Sequence, residues 1–272
     1  MKKYCLIGER LDYSLSPLMH NMLFSLSGMD ASYTICECRE QQLEQVCDSL
    51  RRDFCGANVT VPYKSAVIPF LDEITGAAEQ CGAVNTIINR EGRLIGDCTD
   101  GEGFIRALEM PVTGKRVLLY GSGGAARAIL ASLLRHGALV DVLNRTREKA
   151  AQMLEQLCAA GVDCFGARIV DAPRRTYDLS VNATPLGGVK YPDAMPALPE
   201  KLSDAGFVFD CVYSPSPTLF LRTAIQGGQR GCNGLRMLLE QGILAQRLWG
   251  NEFSQEHIAA VYSRMEQENA KK

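Results

Sequence analysis

Short apolar runs alternate along this chain with longer stretches of helical periodicity. Tyr4–Gly8, Tyr33–Cys38 and Gly56–Val61 read as strands, each brief, apolar or alternating, and bounded by polar or turn residues. Between them Ser16–Ser27 opens on a Ser-Pro start, and Arg39–Arg51 spaces its apolar side chains three and four apart; both predict helices. A further helix is expected from Pro62 towards Leu71, and a β-hairpin from Ala83–Ile88 and Arg93–Gly96 around Asn89-Arg90-Glu91-Gly92. Gly101–Met110 reads as a connecting helix. Lys115 opens a second series, with strands at Val117–Tyr120, Leu139–Leu143, Leu179–Ala183 and Val208–Val212, and beyond Gly234 the pattern is helical to the end. Such alternation predicts an α/β fold with mostly parallel sheets. Ligands of such sheets bind at the carboxyl ends of strands, so the polar residues just after strands are where chemistry is sought.

One strand end stands out. Val117–Tyr120 runs directly into Gly121, Gly123, Gly124, Ala125 and Ala126, followed by an apolar helical pattern. In a dinucleotide-binding unit the first glycine permits the tight turn and the second lets the backbone approach a pyrophosphate. A small third residue brings helix and strand together, and the pyrophosphate rests on N–H groups at the helix start. NAD-binding units place a carboxylate about 20 residues further on, for the ribose 2′-hydroxyl. Here Asn144-Arg145-Thr146 stands 23 residues after Gly121, with Arg147 and Lys149 following, while Asp141 falls too early, inside the strand. A guanidinium flanked by amide and hydroxyl groups suits a 2′-phosphate, so the cofactor expected is NADP. The chain thus divides into an N-terminal α/β substrate domain over residues 1–100 and a Rossmann-type doubly wound NADP-binding domain over 101–235. Helices within 236–272 complete the first.

Composition narrows the field. The 272 residues are 46% hydrophobic and 22% charged with a formal net charge of −2, which argues against a nucleic-acid or membrane-surface partner. No apolar run approaches the ~18 residues of a membrane span. The segment after Lys2 and Lys3 is interrupted by Glu9 and Arg10, unlike a signal peptide. Eleven cysteines, an odd number without a CxxC, read as free thiols in a reducing cytoplasm. Cys36 and Cys38 are the closest pair, and Cys5, Cys158 and Cys211 lie in apolar or strand-like contexts. None of the three histidines, His20, His136 and His257, has cysteine or carboxylate neighbours at ligand spacing, so no metal site is expected. His20 reads as a surface or core-edge residue.

The remaining chemistry lies at strand ends. Ser14 and Ser16 precede a helix that Ser16 would cap, leaving Ser14 without that role. Lys64 closes Asn58-Val59-Thr60-Val61-Pro62-Tyr63-Lys64 in what reads as a first helical turn. There the macrodipole disfavours a cation, so Lys64 needs a carboxylate, a ligand or a lowered pKa. Asn85 sits in an apolar strand, where its amide must be hydrogen-bonded, structurally or to a ligand. Asp100 is an N-cap or a functional carboxylate, and Gly234 and Gln241 mark a late loop and helix. Together these groups imply a small ligand, neutral to anionic and rich in hydroxyls.

Seven motifs in order extend from about residue 4 to about residue 250: Ser-Leu-Ser-Pro, Asn-Val-Thr-Val-Pro-Tyr-Lys, Gly-Ala-Val-Asn-Thr, Thr-Asp-Gly, Gly-Ser-Gly-Gly-Ala-Ala-Arg-Ala with Asn-Arg-Thr, Asn-Ala-Thr-Pro-Leu-Gly and Met-Leu-Leu-Glu-Gln. This order resembles the shikimate dehydrogenase family. The resemblance implies NADP-dependent interconversion of 3-dehydroshikimate and shikimate, with Lys64 and Asp100 as the catalytic pair. It implies that Ser14 and Ser16 hold the substrate carboxylate, that Thr60, Asn85 and Gln241 contact ring hydroxyls, and that Tyr213 joins the substrate site. On the cofactor side it implies Gly121, Gly123, Gly124 and Ala125 at the pyrophosphate, and Asn144, Arg145 and Thr146 at the adenosine end. Gly234 and Met237 would border the nicotinamide, with Cys211 also on the cofactor side. Monomer and homodimer both remain open. The chain departs from the family pattern at Arg10, Tyr13, Cys98 and Arg236, of which Tyr13 and Cys98 are expected to flank the pocket. Three alternatives stand beside this reading: a broader quinate/shikimate dehydrogenase accepting NAD, a paralogue acting on a related hydroxy acid with Tyr13 or Cys98 reshaping the pocket, and a non-catalytic NADP-binding module or sensor.

Overall fold

A computed structural model describes residues 1–108, 110–173, 176–199 and 202–271. The first half runs β1 (Lys2–Gly8), α1 (Ser16–Leu26), β2 (Ala31–Glu37), α2 (Leu43–Asp53), β3 (Gly56–Val59), β4 (Glu73–Ile74), α3 (Ala77–Cys81), β5 (Thr86–Arg90), β6 (Arg93–Asp97) and α4 (Asp100–Ala107). The second runs β7 (Arg116–Tyr120), α5 (Gly124–Arg135), β8 (Leu139–Leu143), α6 (Arg147–Ala159), β9 (Ala167–Ile169), β10 (Tyr177–Asn182), β11 (Leu202–Asp210), α7 (Leu219–Gln226), β12 (Arg230–Asn233), α8 (Leu235–Leu248) and α9 (Gln255–Asn269).

Two six-stranded sheets result. The second has the order β12-β11-β10-β7-β8-β9, and every adjacent pair in it is parallel. That is the doubly wound dinucleotide-binding order, whose strand sequence reverses between β7 and β10, the place where such folds open a ligand crevice. The first sheet, β2-β1-β3-β5-β6-β4, is mixed rather than mostly parallel, because β5 runs antiparallel to both β3 and β6. The predicted hairpin forms the β5–β6 pair. Helix α4 carries the chain from one sheet to the other and packs against α5 on one side and α8 on the other. Two glycines permit this: a Cβ on Gly101 would strike the Ala128 carbonyl, and one on Gly103 would lie 2.7 Å from Gln241 Cβ and backbone N. Helices α8 and α9 pack on α1, and the Trp249 indole donates to Ile87 O at 2.9 Å.

Several local expectations change. No α-helix spans Pro62–Leu71; the segment is a series of turns ending in a 3₁₀ turn at Ile68–Phe70. Pro69 has no N–H for the Ser65 carbonyl and its ring would crowd it, so a helix cannot pass through. Ser16 is not an N-cap: Leu15 holds that position, and the Ser14 hydroxyl accepts from Ser16 N at 3.2 Å. The serine left without a cap role thus satisfies the helix start. The C-terminal segment is two helices, broken at Gly250 (φ 78°) and restarted by Ser254, whose hydroxyl accepts from His257 N at 3.2 Å. Helix α4 ends at Ala107, and Glu109 of the expected Gly101–Met110 helix lies outside the described residues, as does Lys272. β11 begins at Leu202 and stops at Asp210, whose carboxylate accepts from Val212 N at 3.0 Å and turns the chain. His20 is fully buried rather than at the surface. Its ring stacks on Tyr33 at 4.2 Å and one nitrogen meets Gln246 Nε2 at 2.7 Å, and burial pulls its pKa down to about 3.

Candidate active site

A cavity of about 210 Å³ opens where the two sheets face each other. Its walls gather all eight residues expected to act on substrate: Ser14, Ser16, Thr60, Lys64, Asn85, Asp100, Tyr213 and Gln241. Ala125, Cys211, Gly234 and Met237 line the same cavity. The remaining cofactor residues lie beyond it, Gly121, Gly123 and Gly124 at the β7–α5 turn and Asn144, Arg145 and Thr146 after β8. Asn58 also lines the cavity and is the residue that sequence reasoning missed, although it opens one of the seven motifs. An Asn inside an otherwise apolar strand is the signal that points to it.

Lys64 and Asp100 form a direct ion pair, with side chains only 14% and 7% exposed. The turn that replaces the expected helix fixes the lysine. Its carbonyl accepts from Val84 N at 2.7 Å, tying it to the segment just before β5 that carries Asn85, which therefore precedes the strand rather than lying inside it. The macrodipole argument therefore lapses, and the cation has the carboxylate it needed. Burial works against the ammonium, but the Asp100 carboxylate outweighs it and leaves the Lys64 pKa above the ordinary lysine value. Asp100 opens α4 without capping it; Thr99 holds the N-cap position.

Asn85 is both structural and turned to the site. Its carbonyl oxygen accepts from Thr99 N at 2.8 Å and from Thr86 Oγ1 at 2.9 Å. Its NH₂ group, with two protons, faces Asp100 Oδ1 at 2.8 Å, Thr99 Oγ1 at 2.9 Å and Gln241 Oε1 at 3.1 Å. Three acceptors for two protons leave one oxygen free to be exchanged for a ligand hydroxyl. Thr99 Oγ1 also donates to Gln241 O at 3.0 Å, which joins the α4 start to α8. The Tyr213 hydroxyl lies beside Ser14 and the Leu15 backbone, and burial pushes the phenol up to about 12.

The glycine turn is built for an anion. Gly121 has φ 116° and leaves no room for a Cβ, which would sit 2.9 Å from Ala183 O on the neighbouring strand's exit. Nothing lies within 4 Å of a Cβ on Gly123, so the backbone there is open. The start of α5 has no side-chain cap and no acidic residue in its first turn, which leaves its N–H groups and dipole to a phosphate. Gly124 brings this turn against the substrate side, since its Cβ would meet Lys64 Cδ at 3.4 Å. Arg145 is exposed and, among the described residues, makes no ion pair. Asp141 is buried and taken by Arg168 (2.7 Å) and the Tyr177 hydroxyl (2.8 Å), so it serves the fold. These features fit NADP.

The four departures from the family pattern fall in different places. Arg10 adopts φ 70°, a backbone conformation closed to proline. Tyr13 lines the cavity as expected, whereas Cys98 is buried beside Cys81 and does not. Arg236 pairs with Glu240 at 2.7 Å and lies over the Tyr262 ring.

Residues 6–87 match the shikimate dehydrogenase substrate-binding domain model. Over 251 residues, 90% of each chain, the sequence is 41% identical to the NADP(+)-named shikimate dehydrogenase of Carboxydothermus hydrogenoformans. The chain belongs to the shikimate dehydrogenase family. Solved family members agree over nearly their whole length. A shikimate dehydrogenase in complex with NADP+ superposes with a TM-score of 0.89 at 34% identity, covering 97% of this chain and 95% of the other. The Thermus thermophilus enzyme, in complex with NADP(H) and shikimate, gives 0.85 at 35% identity, covering 97% and 100%. Among the described residues no group of histidine, cysteine or carboxylate side chains is arranged to hold a metal ion, and no helix is long and apolar enough to cross a membrane.

Proposed function

We propose that this chain reduces 3-dehydroshikimate to shikimate at the expense of NADPH, and runs the reverse oxidation, with Lys64 and Asp100 as its acid–base pair. The buried Lys64–Asp100 pair carries the reading, because its lysine stem also borders the glycine turn of the dinucleotide side, where a Cβ on Gly124 would lie 3.4 Å from Lys64 Cδ. NADPH, when bound, supplies the hydride. Lys64 then faces the oxygen on which negative charge develops. Its ammonium donates the proton to the new alkoxide and stabilises the charge before transfer. Asp100 keeps Lys64 protonated and oriented, and Asn85 fixes Asp100 in turn through its 2.8 Å bond. Ser14 and Ser16 at the α1 start, with Tyr213 beside them, hold the substrate carboxylate. Thr60, Asn85 and Gln241 read the ring hydroxyls.

The same proposal divides the chain into a substrate part, residues 1–100 with 236–272, and an NADP-binding part, 101–235. In the latter Gly121, Gly123, Gly124 and Ala125 cradle the pyrophosphate. Asn144, Arg145 and Thr146 take the adenosine end, and Cys211, Gly234 and Met237 border the nicotinamide. General acid–base help is worth roughly 10²–10⁴-fold, so Lys64→Met is expected to lower kcat by that range while NADP affinity stays within about two-fold. The assay crosses shikimate and quinate with NADP and NAD, following reduced nicotinamide. Turnover by Lys64→Met above half the wild-type value would remove the lysine from the chemistry. Comparable quinate or NAD activity in the wild type would move the chain to the broader dehydrogenase.

A further inference from the structure

Four of the eleven cysteines gather outside the lining of the cavity, at the outer edge of the first sheet. β1 and β2 are parallel with Cys5 opposite Thr34 and Ile7 opposite Cys36. Cys5 and Cys36 are therefore diagonal neighbours on one face of the sheet. Cys38 follows two residues on, its N–H continuing the ladder to Gly8 O at 3.1 Å. Cys47 of α2 packs onto the same face and belongs to the same core cluster. Cys5, Cys38 and Cys47 are buried, whereas Cys36 is half-buried on the edge strand, and none of the four is in a disulfide. Neither the proposed reaction nor the cavity uses any of them.

We propose that Cys36, the accessible member of this four-thiol cluster, is a modification site that small hydroperoxides oxidise to the sulfenic acid. The reason lies in how the cluster shares one charge. The Cys5 thiol is the diagonal neighbour of the Cys36 sulfur, and its polar contact, against the opposing effect of burial, draws the Cys36 thiol down to about 7. Burial, reinforced by the neighbouring Cys36 sulfur, pushes Cys38 up to about 11, and burial does the same to Cys47. The Cys5 thiol is likewise held protonated, by its contact with Cys36 first and by burial. Negative charge thus settles on the one sulfur that a peroxide can reach, and the thiolate is the reactive form. In the reaction the Cys36 sulfur attacks one peroxide oxygen; the S–O bond forms as the O–O bond breaks. Sulfur gives up two electrons, the second oxygen leaves as hydroxide from hydrogen peroxide or as alkoxide from an alkyl hydroperoxide and takes a proton from solvent, and the product is Cys36–SOH.

The test treats the full-length protein, freed of added reductant, with a few equivalents of hydrogen peroxide in the presence of dimedone, and maps adducts by peptide mass spectrometry. The adduct on Cys36 is expected to exceed that on any other cysteine at least about five-fold, including Cys158, which is exposed. In Cys5→Ala, confirmed as folded by wild-type turnover, labelling of Cys36 is expected to slow several-fold because that contact is gone. Adducts centred on Cys158, or none on Cys36 in the folded protein, overturn the site. An unchanged Cys36 rate in Cys5→Ala overturns the shared-charge account of it.

Discussion

Replacing Gly103 by Ala tests whether the approach of α4 to α8 sets the catalytic geometry. The added Cβ would lie 2.7 Å from Gln241 Cβ and backbone N, and 2.9 Å from its Cα. Carbon contacts relax near ~3.5–4 Å, so the two helices must separate by roughly 1 Å. Backbone atoms are in the way, so no side-chain rotation relieves the clash. Overpacking of this kind costs about 1–3 kcal/mol, of which up to about 1 kcal/mol is returned by the better helix propensity of Ala. For a chain of this size, with that full return, a net loss of about 0–2 kcal/mol lowers Tm by up to roughly 8 °C. The functional effect should be larger in proportion. Asp100 opens α4 and Gln241 belongs to α8, and Asn85 bonds to both at 2.8 and 3.1 Å. A misplacement near ~1 Å at reacting groups can cost about 10²-fold. Gly103→Ala is therefore expected to lower kcat/KM for shikimate by one to two orders of magnitude at a temperature where it is fully folded. The NADP Kd should stay within about two-fold, since the β7–α5 turn is untouched. Steady-state kinetics, a thermal melt and a fluorescence titration with NADP read the three quantities. Wild-type kcat/KM in the folded variant would refute the coupling, and a parallel loss of NADP binding would show general damage instead.

Single residues supply two more tests. Arg145→Ala should raise KM for NADP about ten-fold while changing KM for NAD less than about two-fold, because a charge-assisted bond to the 2′-phosphate is lost; equal changes would mean that Arg145 does not read that phosphate. His20 is buried neutral with its pKa held near 3, so the unfolded chain binds the proton first as pH falls below about 6.5. Stability from this residue is complete above that value and is lost progressively down to about 3, amounting to about 2 kcal/mol between about pH 7 and 5. Urea melts of wild type and His20→Leu at both pH values should show a smaller acid loss in the variant by that amount; identical losses would refute the buried neutral histidine.

Periodicity and turn chemistry alone determined the centre of the second sheet. A parallel strand buried on both faces is an apolar run, and a glycine turn leading into a helix has few other uses, so β7, α5 and β8 are readable locally. The order of motifs also pointed to seven polar residues that the cavity brings together, and the resemblance they carry pointed to Tyr213 as an eighth, though not to Asn58 beside them. What tertiary structure decided were the polar contacts over long sequence distances. Neighbours in the chain place Lys64 in a helix. Its actual position depends on Pro69 breaking that helix and on Val84 N, far along the chain, donating to its carbonyl. Local sequence puts His20 at the surface or the core edge because an imidazole is costly to bury, and only the facing Tyr33 ring and Gln246 amide, remote in sequence, explain its full burial. Asn85 is ambiguous for the same reason: an amide reveals which of its partners it serves only once Thr99, Asp100 and Gln241 have been folded against it. Local propensity is encoded residue by residue, whereas the satisfaction of buried polar groups belongs to the whole fold.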